Sequence, residues 1–322
     1  MNSLTAPRTG TAASGPLQRI GHWLSARPHP DLVIQIAPER VTAARWSLRR
    51  LEAFAEESLP PGALRPSAAQ PNLASAEAVK QAVARVAERV RGASHEAALI
   101  LPDTVVRIFL LGFESFPRKE AEATPLLRWR LRKSVPFPVE ETVLSWTEQT
   151  ASDGSREVVT AVARESVVKE YEAALRGAGL EPGVVLGETL AMLPLVEDGP
   201  AVLLARLGNF SLTTAIADAG RLALFRSSDL SAEPDSQALL DEIFPAAAFF
   251  QDRTQRNIER VRLAGMERYG RELRERLERE LGCPVAPLGG DAGEREGLPE
   301  GASDLLGRQC ASLVGWQLNR GA

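Results

Sequence analysis

The side chains that most often carry chemistry are few in this 322-residue chain, and they lie far apart. His22, His29 and His95 all lie in the first third, whereas the two cysteines are Cys283 and Cys310. This spacing predicts neither a nucleophile–histidine–carboxylate triad nor a metal site built from histidine and cysteine. Two thiols cannot form a disulfide framework, which favours a reducing compartment. We therefore expect no catalytic residue and no metal, and we expect both cysteines to pack as small apolar side chains.

The charged side chains are numerous, but their pattern is typical of a solvated surface. Between Glu267 and Glu280 glutamate and arginine recur at helical spacing, while Leu273, Leu277 and Leu281 repeat every four residues. This predicts an exposed helix with i,i+4 ion pairs rather than a catalytic cluster. The formal net charge of −4 gives no reason to expect nucleic acid as a partner. No apolar run approaches the ~20 residues that span a bilayer, so we expect the chain to stay inside the cell.

Strand and helix patterns occur in two similar halves of the chain. In the first half, residues 32–36, 41–46 and 97–101 read as strands, and valines at helical spacing from Val79 to Val90 predict a helix. The Pro- and Ala-rich residues 59–72 predict a loop. In the second half, residues 202–207, 211–217 and 221–225 read as strands, and residues 303–316 as a last helix. Such a duplication predicts an α/β protein with two lobes and a cleft between them.

Between the halves, Thr124 and Pro125 predict the N-cap and first position of a helix that ends before Pro136. A hairpin with its turn at residues 152–155 should follow.

The first 30 residues are rich in small, polar and basic side chains and are predicted to be a disordered N-terminal tail. Within them Leu17, Ile20 and Leu24, beside Trp23, could line one side of a short helix. Two interpretations stay open at this point. The helix is either a tail segment that packs on the folded domain or a membrane-surface or partner-docking element.

Residues 99–146 resemble the PilM-type proteins of type IV pilus assembly, which are actin-like relatives of the cell-division protein FtsA. The resemblance rests on a strand that ends in Leu-Pro-Asp (residues 101–103), an arginine-rich helix through residues 130–133, and the turn Pro-Phe-Pro-Val-Glu-Glu (residues 136–141). The run Ala-Gly-Leu-Glu-Pro (residues 178–182) follows in the family's order. The order of elements extends the likeness over residues 31–321.

The resemblance implies a two-lobed actin-like (ribonuclease H-like, duplicated) α/β fold with a small extra subdomain in the first lobe. The implied organisation is a first lobe formed by residues 31–96 and 165–198, with residues 97–164 inserted as the small subdomain. Residues 199–302 would form the second lobe, and residues 303–322 a C-terminal helix that returns to the first lobe.

The resemblance also implies a nucleotide cleft, but its motifs are altered here. In the family, the first turn carries an aspartate and a glycine. Gln35 and Ala37 stand at those positions, and Pro38 lacks an N–H that could bind phosphate. The second turn carries Arg206 in place of an aspartate.

The remaining altered positions complete a degenerate site formed by Gln35, Ala37, Arg206, Gly208 and Gly265, with Met266 expected where the purine would lie. Arg206 has two interpretations, an ion pair with a carboxylate across the cleft or a direct phosphate contact without metal. We favour the ion pair and expect no cofactor and a pseudo-ATPase, with bound Mg-ATP as the alternative.

As to partners, the resemblance implies a cytoplasmic protein peripheral to the inner membrane, a scaffold that binds the short cytoplasmic tail of a single-pass PilN-like protein. Other pilus platform proteins would be further partners. An extended tail would lie in a groove between the main lobe and the extra subdomain. The candidate groove residues are Ile108, Leu110, Phe113, Leu127, Trp129, Leu131 and Phe137.

Three other functions are alternatives to that of a scaffold. The first is an ATP-binding actin-like protein with an adapted site, and the second is the cytoplasmic module of a type II secretion platform (GspL-like). The third is a sugar-kinase-type enzyme on the same fold, which the missing aspartates argue against.

Overall fold

The computed structural model describes residues 29–196, 199–209, 211–230, 232–290 and 297–319. Its strands are β1 (Leu32–Ile36), β2 (Arg40–Ser47), β3 (Arg50–Ser58), β4 (Glu96–Leu101), β5 (Arg107–Phe113), β6 (Thr142–Thr150), β7 (Arg156–Arg164), β8 (Glu181–Gly187), β9 (Val202–Leu207), β10 (Ser211–Asp218), β11 (Arg221–Asp229), β12 (Arg260–Ala264) and β13 (Val285–Pro287).

The α-helices are α1 (Ala76–Arg89), α2 (Glu120–Leu131), α3 (Glu165–Gly177), α4 (Glu188–Met192), α5 (Ser236–Thr254), α6 (Gly270–Leu281), α7 (Ala302–Gly307) and α8 (Ala311–Leu318). Short 3-10 turns lie at Val139–Glu141, Leu193–Leu195 and Glu267–Tyr269.

The first lobe is a five-stranded sheet in the order β3-β2-β1-β4-β8. Strand β1 pairs antiparallel with β2 and parallel with β4, and β4 pairs parallel with β8. Every residue of β1 is buried, as expected for a central strand covered on both faces. Helix α1 contacts β2, β3 and α3, and α8 contacts β1, β2 and α4.

The second lobe repeats this arrangement with the order β11-β10-β9-β12-β13. Its β9 again pairs antiparallel with the next strand and parallel with β12. A separate hydrophobic core lies between this sheet and α5 and α6. The two sheets therefore share one strand order, and the predicted two-lobed, duplicated actin-like fold is confirmed.

The extra subdomain is a three-stranded antiparallel sheet, β5-β7-β6, with α2 packed against it. It is inserted between β4 and α3 of the first lobe. Strand β4 itself lies between β1 and β8 in the first-lobe sheet, so the predicted subdomain boundary at Ala97 is too early. The physical reason is that the apolar residues of β4 are buried in the first-lobe core rather than in the small sheet.

The subdomain also contacts the second lobe. The side chain of Gln149 donates from Nε2 to the carbonyl oxygen of Leu222 at 2.6 Å and accepts from its N–H at 3.2 Å. The buried carboxylate of Glu157 lies 3.1 Å from the guanidinium of Arg253. The inserted sheet is therefore tied to both lobes.

The C-terminal residues return to the first lobe, but as two helices instead of one. Gln309, between α7 and α8, has φ of 59°, which interrupts the helix. Trp316 is fully buried, donates from Nε1 to the Pro30 carbonyl at 3.2 Å, and stacks on the His29 ring at 3.7 Å between centroids. Helix α8 thus closes the core next to the first described residues.

One further local prediction was wrong, and one strand was missed. Helix α2 begins at Glu120, so Thr124 is not its N-cap and Pro125 lies inside it. Pro125 is the sixth residue of α2, and its missing N–H removes one intrahelical hydrogen bond. Strand β3, at the edge of the sheet, was not predicted, because it consists largely of glutamate and alanine, which are depleted in strands. The predicted helix around Leu17 lies outside the described residues.

Candidate functional site

The cleft between the lobes is closed by an ion pair at the position where the sequence places a cation. Arg206, on β9 of the second lobe, lies 2.5 Å from Oε1 of Glu188 and 3.4 Å from Oδ2 of Asp103, both of the first lobe. Glu188 begins α4, and Asp103 follows β4, so two parallel strands of the first lobe deliver the two carboxylates to one edge. The structure thus contains the ion pair across the cleft that the sequence analysis favoured for Arg206.

Each carboxylate is held by further hydrogen bonds from neutral groups. Asp103 accepts from the Thr189 N–H at 2.9 Å, from the Thr189 hydroxyl at 2.5 Å and from the Thr213 hydroxyl at 3.0 Å. Glu188 accepts from Nε2 of Gln35 at 2.7 Å. These donors hold both carboxylates in place.

Gln35 has a structural role that its sequence position alone did not reveal. Its amide donates to Glu188, and its carbonyl oxygen accepts from the Ser312 hydroxyl of α8 at 2.6 Å. A neutral amide satisfies both neighbours, whereas an aspartate would place a third carboxylate beside Glu188 and Asp103. Gln35 therefore fits the ion pair formed by Arg206.

Burial dominates the electrostatics of this cluster. Glu188 is 5% exposed and Asp103 is 1% exposed. Burial raises the pKa of Glu188, and the nearby Asp103 carboxylate adds to the increase, while Arg206 and the Gln35 amide oppose it. We refer to Gln35, Asp103, Glu188 and Arg206 as the cleft cluster.

The two turns that would face a phosphate use their amides internally. The N–H of Ala37 donates to the Arg40 carbonyl at 3.0 Å, and the N–H of Gly208 donates to the Ser211 carbonyl at 2.7 Å. A Cβ on Gly208 would lie 2.7 Å from a guanidinium nitrogen of Arg206. The glycine therefore makes room for the arginine.

Gly265 serves packing at the adjacent strand end. Its φ is +71°, and a Cβ there would lie 2.2 Å from the Leu207 carbonyl oxygen, so only glycine fits. Met266 beside it is 4% exposed and packs in the core of the second lobe. Met266 therefore packs in the core, whereas the sequence analysis expected it where the purine would lie.

A cavity with a volume of about 840 Å³ lies beside the cleft cluster. One wall is the proline-rich loop of residues 59–69, and another is formed by Arg107 and Pro136 of the subdomain. Asn209, Asp229 and Leu230 of the second lobe complete it. We call this cavity the loop groove. It lies between the main lobe and the subdomain, as the predicted peptide groove should, but different residues line it.

The loop wall is held in place by buried polar contacts. Asn72 is fully buried, and its Oδ1 accepts from the Ser67 N–H at 3.1 Å and from the Tyr171 hydroxyl at 2.8 Å. Oε2 of Glu170 accepts from the N–H groups of Asn72 and Leu73 at 2.8 and 3.0 Å. Burial raises the pKa of Tyr171, which keeps its hydroxyl a donor. The groove therefore has a fixed wall, which favours binding because less ordering is required.

One buried polar atom at the groove is unsatisfied. Thr104 is 4% exposed and lines the loop groove, and its hydroxyl has no hydrogen-bond partner among the described groups. The hydroxyl oxygen is itself occluded from solvent, so it is a buried atom of the groove wall and not a contact that is offered to a ligand.

None of the seven predicted groove residues lines the loop groove. Leu127 and Leu131 are fully buried in the subdomain, Ile108 and Phe137 are 8% exposed, and Leu110 and Phe113 are partly buried. Ile108 and Leu110 do line a smaller cavity, about 400 Å³, between the subdomain and the second lobe. Trp129 alone is well exposed, at 58%.

The composition of residues 59–72 predicts a loop but does not show that this loop forms a wall of a groove. Pro60, Pro61, Gly62 and Pro66 were the available signal, since prolines stiffen a connection. A rigid loop of that length is more typical of a binding wall than of a simple linker.

Both cysteines are buried and unpaired, as predicted. Burial raises the pKa of Cys310 to about 11 and also raises the pKa of Cys283. Thiols of this kind are poor nucleophiles, because the thiolate is the reactive form. No helix within the described ranges is both long and apolar enough to cross a bilayer.

Comparison with known proteins establishes the fold. A chain of the PilM–PilN type IV pilus biogenesis complex superimposes with a TM-score of 0.73 at 22% identity, over 91% of this chain and 98% of that one. The cytoplasmic domain of EpsL, an inner-membrane component of the type II secretion system of Vibrio cholerae, gives a TM-score of 0.47 at 11% identity over 72% and 80% of the two chains.

A Bacteroides thetaiotaomicron protein with an actin-like ATPase fold gives a TM-score of 0.48 at 9% identity over 85% and 96%. These two likenesses are too distant to carry an argument. No protein-family model and no curated protein sequence matches the chain. The predicted PilM-type resemblance is confirmed at the level of the fold.

Proposed function

We propose that this chain is an actin-like scaffold of a type IV pilus or related secretion platform at the inner membrane. It binds the short cytoplasmic tail of a single-pass, PilN-like protein in the loop groove. The observation that carries the proposal is a rigid-walled groove of about 840 Å³ between the main lobe and the subdomain. The shared fold with a chain of the PilM–PilN complex supports the class of partner.

The chemistry of the groove suits an extended peptide. Its prolines and Leu59, Leu64 and Leu230 offer apolar contacts. Arg65 and Glu39, which are also among its lining residues, offer polar contacts that could fix the register of a peptide backbone. Such a site selects a short segment by shape and a few hydrogen bonds.

The proposed binding is tested with a fluorescent peptide that corresponds to the cytoplasmic tail of a PilN-like single-pass membrane protein from the same organism. Ala69 lines the groove, so the long side chain of Ala69→Arg should obstruct it. Fluorescence anisotropy should show saturable binding to the parent chain and an affinity that is lower by about tenfold or more for the variant.

The matched control is Ala173→Arg on the exposed face of α3, which does not line the groove. It should bind as the parent does. If Ala69→Arg stays folded by circular dichroism and binds the tail normally, the loop groove is not the site. If the parent binds no tail at all, the scaffold function itself is contradicted.

We further propose that the protein acts without ATP turnover. Phosphate binding would require Arg206 to leave two buried carboxylates, and those carboxylates would then repel the phosphate charge. Titration calorimetry at about 1 mM ATP with Mg²⁺ should give no saturable heat. A clear isotherm with micromolar affinity would contradict this proposal and favour an ATP-binding protein with an adapted site.

A further inference from the structure

The exposed end of α2 combines an aromatic ring with a run of cations. Trp129 is 58% exposed, and the guanidinium of Arg132 lies 5.8 Å from the centre of its ring. Arg130 and Lys133 are exposed beside them. Trp129 and Arg130 lie in the last turn of α2, Arg132 is its C-cap residue, and Lys133 follows in the turn, so all four lie at the same end of the helix. We call Trp129, Arg130, Arg132 and Lys133 the cationic patch.

The charges of this patch are not neutralised within the part of the chain that the structure describes. Arg130, Arg132 and Lys133 make no ion pair there, whereas many other cations do, such as Arg271 with Glu275 at 2.9 Å. The chain as a whole has a formal charge of −4. A local excess of positive charge on an anionic protein points to an external anion.

A structural role explains only part of the patch. Cations near the C-terminal end of a helix interact favourably with its dipole, which suits Arg130 and Arg132. That interaction does not explain why the side chain of Trp129 is exposed to solvent. Leu127 and Leu131 already bury the inner face of α2, so Trp129 adds nothing to the core.

The shape of the patch favours a flat surface over a peptide groove. Trp129, Arg130 and Arg132 line none of the three cavities described, whereas Lys133 lines a cavity of about 580 Å³. A peptide with acidic side chains would find no pocket beside Trp129, the ring at the centre of the patch. An anionic bilayer, in contrast, supplies charge over a broad plane, and tryptophan rings sit well at the level of lipid headgroups.

We propose that the cationic patch binds the surface of a bilayer that contains anionic phospholipids, with Trp129 at the headgroup level. Each cation close to such a surface strengthens binding by about fivefold. Three cations and one ring give weak, reversible attachment, which needs a second anchor to become stable. This inference does not depend on the proposed tail binding, because the chain alone should contact vesicles.

The test is co-sedimentation of the full chain with phosphatidylcholine vesicles that either contain or lack phosphatidylglycerol. The parent should sediment only with the anionic vesicles, and less so as salt increases. The triple variant Arg130→Gln/Arg132→Gln/Lys133→Gln should lose about a hundredfold in apparent affinity. Because both chains share every other segment, their difference isolates the patch.

A matched control removes the same charge elsewhere. Lys169→Gln/Arg271→Gln/Arg279→Gln changes two arginines and one lysine on exposed helix faces, and it should sediment much more like the parent than the patch variant does. A second measurement addresses the ring. The tryptophan emission of the parent should shift to shorter wavelength on anionic vesicles, and the Trp129→Phe variant should show a smaller shift.

The proposal is overturned if the patch variant, folded by circular dichroism, sediments as well as the matched control. It is equally overturned if soluble polyglutamate binds the parent through the same three cations while vesicles show no patch-dependent binding. That outcome would assign the patch to an acidic protein segment.

Discussion

At the scale of single residues, Arg206 controls the electrostatics of the cleft. Its side chain is 11% exposed and faces Glu188 and Asp103, which are more deeply buried still. Two buried carboxylates that contact the same side chain are compatible with a folded protein only if a cation or bound protons compensate their charges. Arg206 is that cation.

Replacement of this arginine should therefore destabilise the protein in a pH-dependent way. We expect Arg206→Met to lower the free energy of unfolding by about 3–5 kcal/mol at neutral pH, because the carboxylates lose their partner. Without the cation, which opposes the effect of burial, the folded pKa of Glu188 rises further above its unfolded value. Stability is then retained below the unfolded pKa and lost as pH rises through the folded pKa, so the loss should be larger at about pH 8 than at about pH 5.

Urea unfolding followed by circular dichroism at both pH values checks this. Arg271→Met is the control, because that side chain is 81% exposed in its pair with Glu275, and its loss should amount to less than about 1 kcal/mol. An equal loss for Arg206→Met at both pH values would argue against uncompensated carboxylates in the cleft.

The substitutions at the altered turns could be read from the sequence, but the partners of Arg206 could not. Asp103 lies 103 positions away from it and Glu188 lies on a different element. Only the pairing of β4 with β8 and the approach of β9 bring the three together. In the sequence, Gln35 stands where the family has an aspartate. In the structure, its side chain donates to Glu188 and accepts from Ser312, so it has a role of its own.

At the scale of elements, close packing of α8 on α4 completes the first lobe. Gly315 of α8 lies so near α4 that a Cβ would be 2.0 Å from the Ala191 carbonyl oxygen and 3.1 Å from Cα of Met192. The neighbouring atoms are backbone, which cannot turn aside. The helix sequence thus requires a residue with no side chain at this position.

A glycine-to-alanine pair tests this packing against intrinsic helix propensity. Gly315→Ala should be destabilising by roughly 1–3 kcal/mol because it overpacks the interface, although alanine is the better helix former. Gly307→Ala in α7 has nothing within 4 Å of its Cβ, and it should be neutral or stabilising by up to about 1 kcal/mol. Thermal melting of both variants measures the contrast, and equal effects would contradict the close contact.

Elements were predictable where burial was strong and regular. Strands β1, β4 and β9 are almost wholly buried and read clearly as apolar runs. Strand β3 did not read as an apolar run, because many of its side chains are charged. Glu57, for example, pairs with Arg85 and Arg89. The loop groove was missed because its wall is fixed by contacts between residues that are distant in sequence. Asn72 and Glu170, for example, lie 98 positions apart.

At the scale of the whole molecule, the subdomain links the lobes through buried polar contacts. Gln149 bridges to both backbone groups of Leu222 and also donates to Glu157 at 2.7 Å. The pair of Arg107 with Asp229, at 3.1 Å, is more exposed. The buried contact should therefore hold the subdomain on the second lobe, while the exposed pair adds little.

Two variants separate these contributions. Gln149→Ala leaves buried polar groups without partners, at about 1–3 kcal/mol for each, whereas Arg107→Ala should reduce the free energy of unfolding by less than about 1 kcal/mol. Urea unfolding gives both values, and limited proteolysis should cleave the hairpin of Gln149→Ala first. If Gln149→Ala unfolds like the parent, the bridge contributes nothing to the joint.

The return of α8 to the first lobe has a consequence for synthesis on the ribosome. The second-lobe sheet is built from one continuous stretch, β9 to β13, and can fold as soon as it has left the exit tunnel. The first lobe contains the earliest described strand and also Trp316, so its core stays open until residue 316 emerges. Nascent chains would therefore form their lobes in reverse order, and chaperones would meet the strands of the first lobe for most of translation.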